Sequence, residues 1–187
     1  NVDGVVVSET TLRNVTQPAA GANGIKLQAG VSDVIVTDST ITDIEGSWAY
    51  GVSATPSGPE DGVPTDVSLT SNAITNVSAI NSDGIGVGVD GVDRDDDDVA
   101  ESFADPTEIE LSRNILTDNG IAVLNKNPDE RLDATLNWWG DAAGPAESGT
   151  VVGNASYDPF LTVEPDEVNA TSIDGTTKFG HDLVVPA

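Results

Sequence analysis

Carboxylate side chains recur at regular intervals along this chain and are its first candidates for chemistry. When the repeated segments are aligned, Asp33, Asp66 and Glu108 occupy one position, and Arg131 follows at the same place in the next copy. Carboxylates stacked about 5 Å apart would suit a bound cation or the acid pair of a retaining glycosidase. A chain with 32 acidic residues also produces such a series by surface composition alone. Catalysis and a purely surface role therefore both stay open at this position.

A second aligned series and one acidic loop are candidates for binding cations. The series contains Asp43, Asn76, Asp118 and Asp141, and the loop contains Asp93, Asp95, Asp97 and Asp98. Carboxylate oxygens are the ligands that calcium prefers. The loop fails the EF-hand pattern, because the sixth residue from Asp93 is an aspartate instead of glycine and the twelfth is Ala104 instead of glutamate. A solvated acidic loop, with no metal or other cofactor required, is the alternative interpretation.

Aromatic and sequon motifs indicate a relation to carbohydrate. Trp48 and Tyr50 precede the third repeat, where their rings would stack on a polysaccharide or an envelope glycan. Sequons of the Asn-x-Ser/Thr type, which accept N-linked glycans in secreted proteins, occur at Asn14, Asn76, Asn154 and Asn169. Asn14 and Asn76 fall at equivalent positions of their repeats, so we expect both at one exposed corner.

The charge of the chain bounds its environment and its partners. Seven basic and 32 acidic residues give a formal net charge of −25. Exposed like charges repel one another over about 10 Å at 0.1 M salt but over only about 3 Å at 1 M, so this composition predicts a protein of brine. Nucleic acid is excluded as a partner because no basic patch is present. No apolar run reaches the 18 residues of a membrane span, and no cysteine is available for disulfides or thiolate metal sites.

A template of about a dozen residues recurs five times and predicts the fold. The copies begin at Gly4, Asp33, Asp66, Glu108 and Arg131, and short glycine-led segments such as Gly24-Ile25 and Gly84-Ile85 lie between them. Apolar residues alternate within each copy, which is the period of a strand. The chain is therefore predicted to be an all-β, right-handed, single-stranded parallel β-helix of about five turns, with three short strands per turn. A β-sandwich is the alternative, but it would not align equivalent residues in columns.

Two kinds of column follow from this prediction. Val36, Leu69 and Leu111 should share one interior row. A polar column should occupy one corner of every turn, where hydroxyls and amides satisfy each other and the turn backbone; its members are Thr10, Ser39, Asn72, Asn114 and Asn137.

The segment NWWGDAAGP at residues 137–145, followed by Tyr157, Asp158, Pro159, Phe160 and Leu161, carries a family resemblance. It resembles the terminal signature of right-handed parallel β-helix repeat proteins, the NosD-like and pectin-lyase-like group, and the acidic composition is similar to that of haloarchaeal members. The resemblance implies that Trp138, Trp139, Tyr157 and Phe160 close the last turn. Family members that act on polysaccharides are lyases, with calcium and an Arg or Lys base, or carboxylate hydrolases.

These observations predict a β-helix with its cap over residues 1–161, the cap itself over 137–161, and a linker with the start of a following region over 162–187. His181, the single histidine, lies outside the repeats, which argues against a Ser-His-Asp triad. We expect an extracellular or cell-surface protein, cut from a longer polypeptide, whose non-catalytic module serves adhesion, envelope structure or glycan binding. The alternatives are a polysaccharide lyase or glycoside hydrolase, and a spike or fibre of a halophile virus.

Overall fold

Short strands separated by tight corners account for the regular structure of this chain. The computed structural model describes residues 2–56, 62–92, 102–145, 150–167 and 173–174. Within these ranges there is no α-helix, and two short 3₁₀ helices span Pro106–Glu108 and Pro165–Glu167. The strands are β1 Asp3–Ser8, β2 Thr11–Gln17, β3 Ala22–Gln28, β4 Ser32–Thr37, β5 Thr40–Gly46, β6 Ala49–Thr55, β7 Val67–Thr70, β8 Ala73–Ala79, β9 Ile85–Val89, β10 Gly91–Val92, β11 Ser102–Phe103, β12 Ile109–Ser112, β13 Ile121–Asn125, β14 Leu132–Asp133, β15 Val151–Gly153, β16 Ala155–Ser156, β17 Phe160–Leu161 and β18 Ile173–Asp174.

Three parallel sheets run the length of the coil, as the predicted solenoid requires. Sheet 1 has the order β1-β4-β7-β12, sheet 2 the order β2-β5-β8, and sheet 3 the order β15-β13-β9-β6-β3. Each of the first three turns supplies one strand to every sheet, and the fourth supplies β12 to sheet 1 and β13 to sheet 3, so the chain is an all-β parallel β-solenoid. It has about four turns instead of the predicted five. The copy that begins at Arg131 is the reason, since its strand pairing consists of the two-residue strand β14 beside β16 and an isolated bridge between Ile115 and Trp138.

Apolar residues of successive turns lie directly over one another inside the coil. Val36 pairs with Leu69, and Leu69 pairs with Leu111, so the predicted interior row is confirmed. All three side chains are buried. Sheet 2 supplies an equivalent row in which Ile41 is flanked by Leu12 and Ile74. Burial of these branched side chains contributes most of the stability that the fold has, at about 25 cal/mol per Å² of apolar surface.

The polar column at the corner between sheets 1 and 2 is a hydrogen-bonded ladder. The backbone N–H of each member donates to the side-chain oxygen of the next: Thr10 to Ser39 at 3.1 Å, Ser39 to Asn72 at 3.1 Å, Asn72 to Asn114 at 2.9 Å and Asn114 to Asn137 at 2.9 Å. The three asparagines also donate through Nδ2 to a strand carbonyl of the preceding turn, namely Val36, Leu69 and Leu111. The ladder satisfies backbone groups that a buried corner would otherwise leave unpaired.

Left-handed backbone conformations also stack in columns, one for each type of corner. The residues before the ladder have φ between 47° and 59°: Glu9, Asp38, Ser71, Arg113 and Leu136. A second column consists of Asn14, Asp43, Asn76 and Asp118, and a third of Gly4, Asp33 and Asp66. Such a conformation costs an L-residue about 1–2 kcal/mol, and aspartate and asparagine tolerate it best. The repeated Asp and Asn positions therefore serve the turns, whatever else they do.

The glycine-led segments do not all stack in the register that their sequences suggest. Val52 pairs with Val87 and not with Ile85, which follows Gly84. Ile85 pairs instead with Tyr50 in one direction and with Ile121 in the other. This offset of two residues brings Tyr50 into a small cluster with Ile85 and Leu124 that is separate from the core.

Candidate functional site

Trp48 is a large aromatic side chain that the fold holds partly in solvent. It lies between β5 and β6, and 46% of its surface is exposed. Its indole ring lies against the backbone of Gly21, so closely that a Cβ on that glycine would fall inside the ring. The glycine therefore leaves room for the indole to pack flat against the backbone, and the rest of the ring is exposed to solvent.

Tyr50, the second residue of β6, supports the indole from one side. The two ring centroids are 6.0 Å apart with an interplanar angle of 73°, an edge-to-face contact. The Tyr50 ring covers Gly88 of β9, where a Cβ would clash with it. Only 7% of the Tyr50 surface is exposed, so this residue shapes the site from beneath while Trp48 faces outward.

A carboxylate and an ammonium group lie at the far side of the Tyr50 ring. The Tyr50 hydroxyl donates to Oδ2 of Asp90 at 2.6 Å, and Lys126 Nζ lies 2.8 Å from Oδ1 of the same carboxylate. Burial raises the pKa of the Tyr50 hydroxyl above its usual range, and the hydrogen bond and charge of Asp90 raise it further. Tyr50 is therefore a neutral hydrogen-bond donor. Lys126 remains 48% exposed, so its ammonium group is available to a ligand.

These residues line one cavity of about 470 Å³ on the outer face of sheet 3, which we call the Trp48 groove. Its apolar wall contains Ile85, Ile121 and Leu124, and Ser82 and Asp83 lie at its rim. The groove thus combines an exposed aromatic ring with a small number of polar groups, the usual composition of a binding site for small molecules.

The predicted acid column exists, and its candidate base Arg131 has a polar partner of its own. Asp33 is the second residue of β4 and Asp66 directly precedes β7, and the backbone N–H of Asp66 donates to Glu108 Oε2 at 3.3 Å. Arg131 donates through Nε to Asn154 Oδ1 at 3.3 Å. A hydrogen bond with Asp3 and the charge of Asp3 raise the pKa of the exposed Asp33 carboxyl, and slight burial and the charge of Asp66 add to the effect. The column is a row of mutually repelling surface carboxylates, and its catalytic role stays a prediction.

The second acid series lies on the outer face of sheet 2. Asn14 is adjacent to Asp43, and Asn76 donates through Nδ2 to Asp43 Oδ1 at 2.6 Å. Asn14 and Asn76 line the same shallow cavity and are exposed, as expected for equivalent positions. Asn154 is engaged by Arg131, and Asn169 lies outside the described residues. Glycosylation of these sequons stays a prediction.

The aromatic residues assigned to the cap differ in their burial. Trp139 and Phe160 are buried and belong to the core cluster, and Trp138 is half-buried. Tyr157 is exposed and contacts the Trp139 ring edge-to-face, with centroids 6.4 Å apart. The ring of Phe160 packs against Gly144. These positions are compatible with closure of the last turn, but the cap and the boundary at residue 161 stay predictions.

Cation binding finds limited support. Asp93, Asp95, Asp97 and Asp98 lie outside the described residues. In the part of the chain that the structure describes, no group of three or more acidic or imidazole side chains is arranged to hold a metal ion.

Among the described residues there is no helix that is long and apolar enough to cross a membrane.

Sequence reasoning missed half of the Trp48 groove. Asp90 and Lys126 are single charged residues without a motif around them, and they meet only in the folded chain. A signal was present for Gly88, which interrupts the apolar residues of β9. A glycine inside a strand often marks a close approach by another group.

Comparison with known proteins finds no matching family model, no similar curated protein and no similar solved structure.

Proposed function

We propose that this chain is a non-catalytic β-solenoid module of a secreted or cell-surface protein of a halophile, and that it binds a glycan in the Trp48 groove. The observation that carries the proposal is the half-exposed Trp48 ring, seated on Gly21 and followed along the groove by Lys126. A flat aromatic face suits the apolar face of a pyranose ring, and adjacent polar groups suit its hydroxyls.

The rigidity of the groove supports binding. Gly21 and Tyr50 contact Trp48, and Asp90 contacts Lys126. All three lie on or beside strands of sheet 3. A preformed site loses little side-chain entropy when a ligand binds. Holding an indole half in solvent without a ligand brings no evident gain in stability, because the ring is not part of the core.

The sequence resemblance and the charge support the finer part of the proposal. The NWWGDAAGP segment and the solenoid fold are what NosD-like and pectin-lyase-like repeat proteins share, and a net charge of −25 suits the haloarchaeal surface members. An extracellular position would also make the sequons accessible to glycosylation.

Glycan-array screening of the whole chain at molar KCl, followed by calorimetry on the best ligand, tests the proposed function. We expect binding that Trp48→Ala weakens about tenfold or more, since the ring supplies most of the contact surface. Tyr157→Ala is the matched control, because it removes another exposed aromatic ring far along the chain and should leave the affinity unchanged. Binding that is equal in both variants would remove Trp48 from the site.

The same preparations decide between this proposal and its alternatives. Incubation of the bound polysaccharide with the protein should produce no new reducing ends and no unsaturated sugars; either product would identify a hydrolase or a lyase instead. Sedimentation should show no trimer, because a stable trimer would favour a viral spike or fibre.

A further inference from the structure

The charges along the Trp48 groove are unequal. Among the described residues that line it, Lys126 is the one cation, and Asp83 and Asp90 are the two anions. Lys126 lies 2.8 Å from Asp90, so this pair is electrically neutral. The exposed carboxylate of Asp83 remains, on a chain whose net charge is −25. A negatively charged ligand would meet net repulsion here at moderate salt.

The hydrogen-bonding groups that remain for a ligand are of both kinds. An ammonium group has three donors, and Asp90 accepts from one of those on Lys126, which leaves two. Asp83 offers acceptor oxygens, whereas both oxygens of Asp90 already accept hydrogen bonds, from Tyr50 on one side and from Lys126 and the Gly91 N–H on the other. A hydroxyl group both donates and accepts, so a diol suits this combination and a carboxylate does not.

The groove also has a direction. Trp48 belongs to the second turn, Asp83 and Ile85 to the third, and Ile121 and Lys126 to the fourth. Trp48 precedes β6 and is level with Asp83, whereas Lys126 follows β13 and is level with Asp90, so the groove crosses the strands diagonally. A chain of sugars lying on this diagonal would contact Trp48 at one end and Lys126 at the other.

From these observations we infer that the Trp48 groove selects neutral oligosaccharides over acidic ones and binds them diagonally across the strands of sheet 3. The sugar that stacks on Trp48 donates a hydroxyl to Asp83, which is level with Trp48, and a hydroxyl further along the ligand accepts from Lys126. This inference rests on the proposed glycan-binding function and adds the ligand's charge and orientation.

Calorimetric titration of the full chain with neutral tetrasaccharides of glucose, mannose and galactose, and with tetrasaccharides of galacturonate and mannuronate, tests the selectivity. At about 0.15 M KCl we expect the best neutral ligand to bind at least about tenfold more tightly than any uronate. At about 1 M KCl the difference should shrink, because screening shortens the reach of the repulsion from about 8 Å to about 3 Å.

Variants of two lysines test the contact at the far end. Lys126→Met should weaken the neutral ligand about tenfold, because two charge-assisted donors are lost. Lys26→Met is the matched control, since Lys26 is an exposed lysine on the outer face of the same sheet and does not line the groove. Circular dichroism and thermal unfolding of each variant establish that it is folded.

The outcomes separate this inference from the proposed function. Uronates that bind as tightly as neutral sugars or more tightly, with Trp48→Ala still reducing affinity, would overturn the selectivity and leave glycan binding intact. Equal affinities of the Lys126→Met and Lys26→Met variants would overturn the diagonal orientation. Absence of any binding to either set, with no change in Trp48 fluorescence, would overturn both.

Discussion

Replacing Asn114 in the middle of the ladder tests the physical basis of the fold most directly. Its side chain is fully buried and connects three turns. Oδ1 accepts from the Asn72 N–H at 2.9 Å, and Nδ2 donates to the Leu69 carbonyl at 2.8 Å and to Asn137 Oδ1 at 3.0 Å. An alanine at this position makes none of these hydrogen bonds.

The expected cost follows from the partners that lose their bonds. Asn114→Ala leaves the Asn72 N–H without its acceptor and removes a donor from the Leu69 carbonyl, at about 1–3 kcal/mol for each buried group. We therefore expect the free energy of unfolding to fall by about 3–5 kcal/mol, a large share of the stability of an ordinary domain. Asn114→Ser should cost about half as much, because Ser39 shows that a hydroxyl at this corner can accept from the N–H of the preceding turn.

Urea unfolding followed by circular dichroism at about 1 M KCl measures these differences, and an unchanged slope would show that the unfolded states are comparable. Asn81→Ala is the control, since Asn81 is exposed and makes no side-chain hydrogen bond to another described residue. We expect its effect to stay within about 0.5 kcal/mol. A loss of less than about 1 kcal/mol for Asn114→Ala would refute the idea that the ladder satisfies groups that have no other partner.

Three further predictions concern the corners, the acid column and the groove. Ser71→Asn, at φ 59°, should raise the free energy of unfolding by about 0.5 kcal/mol in the same urea assay, because asparagine tolerates a left-handed backbone better. A loss would contradict this reading of the corner. The Asp33 carboxyl holds its proton more tightly when folded, so its charge opposes folding at neutral pH and the opposition fades as pH falls through the raised pKa. Asp33→Asn should therefore raise the melting temperature at pH 7 and low salt but not at low pH. Asp118→Asn should not raise the melting temperature, because Asp118 has the same backbone conformation as Asp33 but lies beside Asn76. Gly21→Ala should displace the Trp48 ring, shift its fluorescence and weaken glycan binding, and the double variant with Trp48→Ala should bind no more weakly than Trp48→Ala alone. An additive loss would show that Gly21 acts by another route.

The solenoid itself was predictable because the patterns that it requires are formed by residues close together in the sequence. Alternating apolar residues such as Val34 and Val36 identify strands, and their recurrence after each polar corner means that equivalent residues stack. The ladder was predictable for the same reason, since a parallel coil places like residues over one another and Asn72, Asn114 and Asn137 can then bond in series.

The turn count was less predictable. The copy at Arg131 matches the template in its letters, but it forms only the two-residue strand β14 where the earlier copies form strands of four residues or more. Pairing depends on what lies on either side of a segment, and the template holds no information about the neighbours of the last copy.

The Trp48 groove was only partly predictable from the sequence, because it joins residues that are distant in the chain. Trp48 and Tyr50 stood out by residue type, because aromatic rings suit carbohydrate, although only Trp48 is exposed in the fold and Tyr50 is a buried residue of β6. Asp90 and Lys126 did not, since they lie 36 residues apart in the sequence and meet only because β9 and β13 are neighbours in sheet 3. The register in which Ile85 pairs with Tyr50, two residues away from Val52, decided which side chains face the groove.

The sequence by itself determined that this chain is a coil of parallel strands with an acidic surface and a polar column at one corner. Those features depend on period, β-branched composition and charge, each of which is a property of neighbouring residues. Tertiary structure alone decided that Asp90 joins Tyr50 to Lys126, that Gly21 supports Trp48, and that Arg131 donates to Asn154. Register between turns sets these contacts, and register is a balance of packing across the whole coil that no single repeat contains.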